Sequence, residues 1–369
     1  MFVYLYMDQD GVLRYILAVG CVLSYVAVVV NVIVFTILCR KTLVSPATIM
    51  MQGLALADGL TAFCSYGLEP LYLQKYKRMS KGYASVSSWF LEYPYCAVYV
   101  FMSQLVESFH LVSILLTACL GIQKVVSIRF PIWTKCHLTI KKTLVVSVVC
   151  YAVSAMATFP RYLAVRMSHY MSNFHTFCNI EPRSTSMVHY SMVFYFLVHP
   201  VLLILLSMLM LASTAYISYK LLTNRFSGRH SRRSKNEEKS VMLVIFVLMI
   251  FMMTELPRLV IFGGFYLTVY RQIDKDIIEK VFILSDIRRF LPYYTLYNED
   301  NSHIYVTECM KLFNMIGCMS NFAIYLAMSS KLRKALKETI FTFKMSVTRS
   351  FNTFISWDNL YTMKQIFVC

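Results

Sequence analysis

The sequence predicts an all-α membrane protein, a bundle of seven transmembrane helices followed by a short amphipathic eighth helix. Three observations predict it. Of the 369 residues, 58% are hydrophobic and only 15% charged, and the mean hydropathy is +0.57; a soluble domain carries about a quarter charged residues. Seven apolar stretches each reach the ~20 residues that a helix needs to cross the hydrocarbon. These runs are continuous and not alternating, which excludes a β-barrel wall and leaves helices to satisfy the backbone in lipid.

Residues 1–14 form a short N-terminal segment. The first span, 15–39 ("YILAVGCVLSYVAVVVNVIVFTILC"), has neither a basic segment before it nor a small-residue cleavage site after it, so it reads as a retained span and not a signal peptide. The second, 47–72, carries "LALADGL" with Asp58 near its middle. The third, 96–126, opens at Cys96 and carries "VESFHLVSILL", with Glu107, His110 and Ser113. The fourth, 142–164, is almost featureless, and the fifth, 189–219, contains Pro200. The sixth, 240–267, holds "MTELPRLVIF", and the seventh, 304–328, holds Lys311 and "FNMIGCMSNFAIY". Together 15–328 form the membrane domain. The tail, 329–369, begins with Leu332, Leu336, Ile340 and Phe343 at helical spacing beside Lys331, Arg333, Lys334 and Lys337, a pattern suited to a helix lying in the membrane interface.

The net charge of +17 suggests nucleic acid at first sight, but its distribution points to a membrane. Segments 40–46, 124–141, 220–239 and 329–369 are densely basic and contain only four acids, Glu237, Glu238, Glu338 and Asp358. The remaining loops are nearly balanced. Basic loops stay cytoplasmic, so the N-terminus is expected outside and the C-terminus inside. Cys96 and Cys178, the latter in "HTFCNIEP", then both face the oxidising side, and a disulfide between them would tie the second outer loop to the third span. The other cysteines read mostly as small packing residues.

Ionisable groups inside spans are costly and mark function. Asp58 needs a cation or a proton, whereas Asn31 and Asn314 read as interhelical hydrogen-bonding groups. No metalloprotease, phosphate-loop or nucleophile-elbow signature is present, so no enzyme is predicted. An ion channel or transporter using Asp58, Glu107 and Glu255 as a path is disfavoured by the odd span count and the absence of internal repeats.

With Asn31, Asp58 in "LALAD", Pro200, Pro257 and "NFAIY" (321–325) in this order, the chain resembles the rhodopsin-like (class A) G-protein-coupled receptors over nearly its whole length. The resemblance implies an extracellular ligand, a heterotrimeric G protein and a plasma-membrane location. It also implies a hinge at Pro257, with Asn321 and Tyr325 as switch residues. Gln123, Lys124, Arg129 and Pro131 after span three, and Arg232 and Arg233 in the third inner loop, fall where the G protein would dock. Asp58, Ser113 and Asn321 match the positions that hold a sodium ion in the family; a water-filled polar cluster is the alternative. No other cofactor is implied. The departures are Gln123-Lys124-Val125 in place of Asp/Glu-Arg-Tyr, no proline before Tyr325, and Thr254-Glu255-Leu256-Pro257 in place of Cys-Trp-x-Pro. The first and third of these departures, the Gln-Lys pair and "TELP", resemble the invertebrate branch of myosuppressin, FMRFamide-like and sex-peptide (myoinhibitory peptide) receptors, which implies a short amidated neuropeptide as ligand. A small-molecule chemoreceptor or a non-signalling decoy of the same fold are the alternatives.

Three readings stand for Glu255: an ion pair with Arg258 or Lys311, a contact to a cationic ligand group, or a protonated, hydrogen-bonded carboxyl. Glu107 and His110 complete the expected ligand-binding set with Glu255, Arg258 and Lys311. The third outer loop, 268–303, is either an entrance cap, from the helical spacing of "DKDIIEKVFILSDI", or a solvated insert.

Overall fold

Helix α1, Val12–Leu38, shows how lipid shapes the elements. Leu17, Ser24, Ala27, Asn31, Val34 and Leu38 recur every three to seven residues and are buried, while Tyr15, Val19, Val22, Val26, Val29 and Val32 on the opposite face are exposed. The exposed face is as apolar as the buried one, as expected where the surroundings are hydrocarbon. At 1.5 Å per residue α1 is about 40 Å long, enough to span with a margin. The structure, a computed structural model, describes residues 4–5, 12–78, 89–172, 175–182, 190, 198–226, 249, 253–254, 308–309, 311–320 and 333–338.

Helix α2, Pro46–Tyr66, starts where its sequence says it should. Ser45 accepts from the Thr48 amide and its own amide donates to the Thr48 hydroxyl, a reciprocal box, and Pro46 occupies the first turn, where its missing N–H is not needed. The expected second span, 47–72, is interrupted. The helix stops at Gly67 and resumes as α3, Glu69–Lys75. The Tyr25 hydroxyl donates to the Gly67 carbonyl at 2.7 Å, satisfying an acceptor at the break. Ser24 to the Ala62 carbonyl (2.7 Å) and Gln52 to the Leu38 carbonyl (2.6 Å) complete a polar seam along α1 and α2.

Helix α4, Tyr95–Arg129, is the central post, packed on α2, α6 and the fifth span. A short α5, Pro131–His137, leads to α6, Ile140–Ala164. On α6 the buried residues are small and polar (Thr143, Ser147, Ser154, Thr158), and the exposed ones are Val145, Val148, Val153, Met156 and Phe159. Small hydroxyl residues let backbones approach and bond across helices. Ser108 of α4 donates to Thr158 at 2.8 Å, and Ser154 donates to the Ser108 carbonyl at 2.6 Å. Helix α7, His199–Phe226, is the fifth span. Five helices among the described residues are long and apolar enough to cross a membrane. Of the predicted sixth span only residues 249, 253 and 254 are described, and of the seventh the helical residues 308–309 and 311–320.

Strands occur only in the connections. β1 (Tyr4–Leu5), β2 (Tyr76–Arg78) and β3 (Trp89–Leu91) form a small antiparallel sheet in the order β1-β3-β2. β4 (Val165–Ser172) and β5 (His175–Pro182) form a hairpin in register from Val165 opposite Pro182 to Ser172 opposite His175. Since these strands precede α1 and α4 and follow α3 and α6, chain direction places them all at one end of the bundle, called here the hairpin end. At the opposite end Val34, Ile37, Met50, Leu120, Met210 and Ile217 form a core on which Ala335 and Leu336 pack. The described part of the predicted amphipathic helix, 333–338, is helical and sets its apolar side there.

Candidate functional site

Among the described residues, a dense cluster of buried charge lies toward the hairpin end, between spans two and seven. Tyr66, in the last turn of α2, donates from its hydroxyl to Glu308 Oε2 at 2.5 Å, and Lys311 Nζ donates to Glu308 Oε1 at 2.8 Å. Glu308 is 0% exposed. Its three-residue spacing from Lys311 puts both on one helix face. The Lys311 ammonium also stands 5.5 Å from the Tyr66 ring centroid, a cation–π distance. Glu69, in the first turn of α3, is 3% exposed and lies within electrostatic reach of Lys311 and Glu308. Tyr66 itself is seated on Gly20 of α1, where a Cβ would come within 2.8 Å of the ring, so glycine is what allows the phenol to reach span seven.

Deeper, spans three and five bring polar side chains together. His199 Nε2, at the start of α7, faces Glu107 Oε2 of α4 at 3.9 Å. His110 lies three residues further along α4 and is buried.

At mid-bundle the Ser113 hydroxyl donates to Asp58 Oδ1 at 2.7 Å, and both residues are buried. Asn31 donates to the carbonyls of Ala27 (2.9 Å) and Cys318 (3.2 Å), fastening span one to span seven. Asp58 and Ser113 supply hard oxygen atoms of the kind a sodium ion takes. Among the described residues, no group of three or more His, Cys, Asp or Glu side chains could hold a metal ion.

At the end opposite the hairpin, Gln123 is buried with no hydrogen-bond partner for its Oε1, and Lys124 beside it is half-buried. Pro131 opens α5, on which Ile132 is 80% exposed and Trp133 stacks on His137 with centroids 4.9 Å apart. The Arg129 guanidinium stands 5.7 Å from the Phe130 ring.

This is an assembly of spans that buries its charges inward at three depths. The family model of the seven-transmembrane receptors (rhodopsin family) matches residues 30–325. The chain belongs to that family. No curated protein matches it. Receptors of this family are multi-pass plasma-membrane proteins that take an extracellular ligand and signal through G proteins, and they are not enzymes.

Within this receptor the structure joins some of the residues singled out from the sequence. Asp58 meets Ser113, and Glu107 and Lys311 each find a buried partner. Lys311 contacts Glu308, and Glu107 faces His199. Glu69 and Glu308 had been grouped with the loops and are buried instead; the signal was there in "TECMK", an acid one turn before an intramembrane lysine. Cys96 is disulfide-bonded. Eight cysteines among the described residues are free, and the side chain of Cys178, the expected partner of Cys96, lies outside the description. Glu255, Pro257, Arg258, Arg232, Arg233, Asn321 and Tyr325 lie outside the described residues. Thr254 of the "TELP" motif is described, and its methyl would stand 3.1 Å from a Cβ at Gly317, so spans six and seven touch closely there.

Proposed function

We propose that this receptor binds a short amidated neuropeptide at the hairpin end of its bundle and activates a heterotrimeric G protein at the other. The carrying observation is the buried network of Tyr66, Glu308 and Lys311, with Glu69 beside it, at the end of the bundle that carries the described strands. Buried charge of this kind is expensive for stability and is kept for recognition or switching. The basic segments at the opposite end favour placing the hairpin outside and the tail inside. A Cys96–Cys178 bond in that arrangement holds β5 over span three and leaves the hairpin as a fixed rim for an extended ligand. Resemblance of "TELP" and Gln123-Lys124 to the myosuppressin, FMRFamide-like and myoinhibitory-peptide receptors supports the peptide class.

Glu107, His110, Glu255, Arg258 and Lys311 line the path a ligand takes inward. A sodium ion held by Asp58 and Ser113, with Asn321 as a third donor, stabilises the inactive bundle and leaves on activation. Pro257 breaks the hydrogen-bond ladder of span six and serves as its hinge. Ligand shifts the population toward the open state only through better affinity for it. Gln123, Lys124, Arg129, Pro131, Arg232 and Arg233 then meet the G protein.

The test is G-protein activation in cells expressing the chain, screened with Arg-Phe-amide, myosuppressin and myoinhibitory peptides and, in parallel, a panel of non-peptide odorants and amines. A peptide response that Glu255→Gln weakens, at unchanged surface expression, supports the reading. A response confined to non-peptides refutes the peptide class, and silence from a well-expressed protein refutes signalling.

A further inference from the structure

We propose that Glu69 is the anchor for the cationic group of the ligand, an organic guanidinium or ammonium, at the tyrosine-rich junction of spans two, three and seven. This rests on the receptor reading above and names the chemistry its site selects. Two buried carboxylates meet one ammonium there among the described residues, and the ammonium is committed: Lys311 contacts Glu308, which also receives the Tyr66 hydroxyl. Glu69 makes no hydrogen bond among the described residues and feels the Lys311 charge only from beyond ion-pair contact, although it is buried almost as deeply. Ionised carboxylates do not tolerate such a place unless something supplies the missing contact.

A second observation points the same way. The Tyr72 hydroxyl, one helical turn beyond Glu69 on α3, is buried, feels the Glu69 charge and has no hydrogen-bond partner. A carboxylate and a phenol, both unmet and on one face, together offer the acceptors that a guanidinium or ammonium uses. The ring of Tyr72 meets that of Tyr99 edge-on at 5.3 Å, which adds π surface at the same place. Small metal cations prefer several hard oxygens in a shell, whereas aromatic faces beside one carboxylate suit an organic cation.

The experiment uses the purified full-length receptor in lipid nanodiscs and reads its thermal midpoint, which needs no G protein. The probes are N-acetyl-argininamide, its neutral isostere N-acetyl-citrullinamide, and sodium chloride. Expected are three results. Ligand-free Glu69→Gln melts higher than the wild type by about 2 °C or more, because an unmet charge is gone. Acetyl-argininamide raises the wild-type midpoint saturably while the citrulline compound does not. Its apparent affinity falls at least about tenfold in Glu69→Gln and about threefold in Tyr72→Phe, in line with the loss of a charged and a neutral contact. The proposal is overturned if the wild type fails to respond at about 10 mM, where even a millimolar ligand stabilises measurably. It is equally overturned if Glu69→Gln melts lower and both compounds act alike on it, or if sodium reproduces the saturable rise in an Asp58→Asn background, where the mid-bundle ion site is removed. A receptor that passes this test but answers no peptide would sink the peptide reading alone.

Discussion

Tyr66→Phe deletes one oxygen and leaves the ring seated on Gly20, so no cavity opens and apolar burial is unchanged. What disappears is a 2.5 Å bond to a fully buried carboxylate. Bonds to charged groups contribute about 1.5–3 kcal/mol. Lys311 still holds the other carboxylate oxygen at 2.8 Å, so Glu308 is not orphaned and the middle of the range, about 2 kcal/mol, is expected. At about 2–4 °C per kcal/mol for a chain of a few hundred residues, the midpoint should fall by about 4–8 °C. Thermal melting of the purified protein reads this directly. A cycle with Glu308→Leu isolates the pair, and the two changes should couple by about 2 kcal/mol because they share one contact. A midpoint within about 1 °C of wild type, or additivity within about 0.5 kcal/mol, would show that the bond does not tie span two to span seven.

Gly317→Ala places a methyl 3.1 Å from Thr254 Cγ2 and should cost about 1–3 kcal/mol of overpacking, relieved by Thr254→Ser. Because that contact separates spans six and seven at the "TELP" motif, ligand-independent G-protein activation should change with it; identical basal signal in the mutant would deny the contact a role. For Asp58→Asn the expected loss is of sodium dependence. Sodium at ten times its Kd should stabilise the wild type by about 1.4 kcal/mol at constant ionic strength and leave the mutant unmoved; equal behaviour would count against an ion beside Ser113. Arg40→Ala removes an exposed 3.2 Å pair with Glu338 and should cost under about 1 kcal/mol, fading in high salt, so a larger, salt-independent loss in melting would contradict the surface reading.

How much of this was legible depends on which force set each feature. Lipid demands long apolar helices, so α1, α4 and α6 fall within a few residues of the expected spans. Asp58 and Ser113 were legible because motif order fixes their depth on neighbouring helices. The interruption at Gly67 was not, since apolar composition continues through it and only the Tyr25 bond to the Gly67 carbonyl reveals where the backbone turns. Glu69 and Glu308 were misplaced because charge near a span end looks solvated in a linear reading; their burial comes from Tyr66, Tyr72 and the approach permitted by Gly20. Lys311 has Glu308 three residues off on its own helix, a nearer partner than the Glu255 that the sequence reading offered. His199 was passed over beside the more conspicuous Pro200. The β4–β5 hairpin gives no clean alternation in "VRMSHYMS" or "HTFCNIEP", and its register emerges only from the pairing of the two segments.

The Asn31 amide, bonded at once to its own helix and to the Cys318 carbonyl, has a mechanical consequence. With the Tyr66–Glu308 bond toward the hairpin end, span seven is latched to spans one and two at two heights. A rod pinned at two heights resists sliding along its axis. A push on residues 308–311 must therefore emerge sideways, as bending or twist, and the face of the rod that carries Gly317 meets Thr254 of span six. Spans one and two then act as the stationary frame of the machine, and span six receives the stroke.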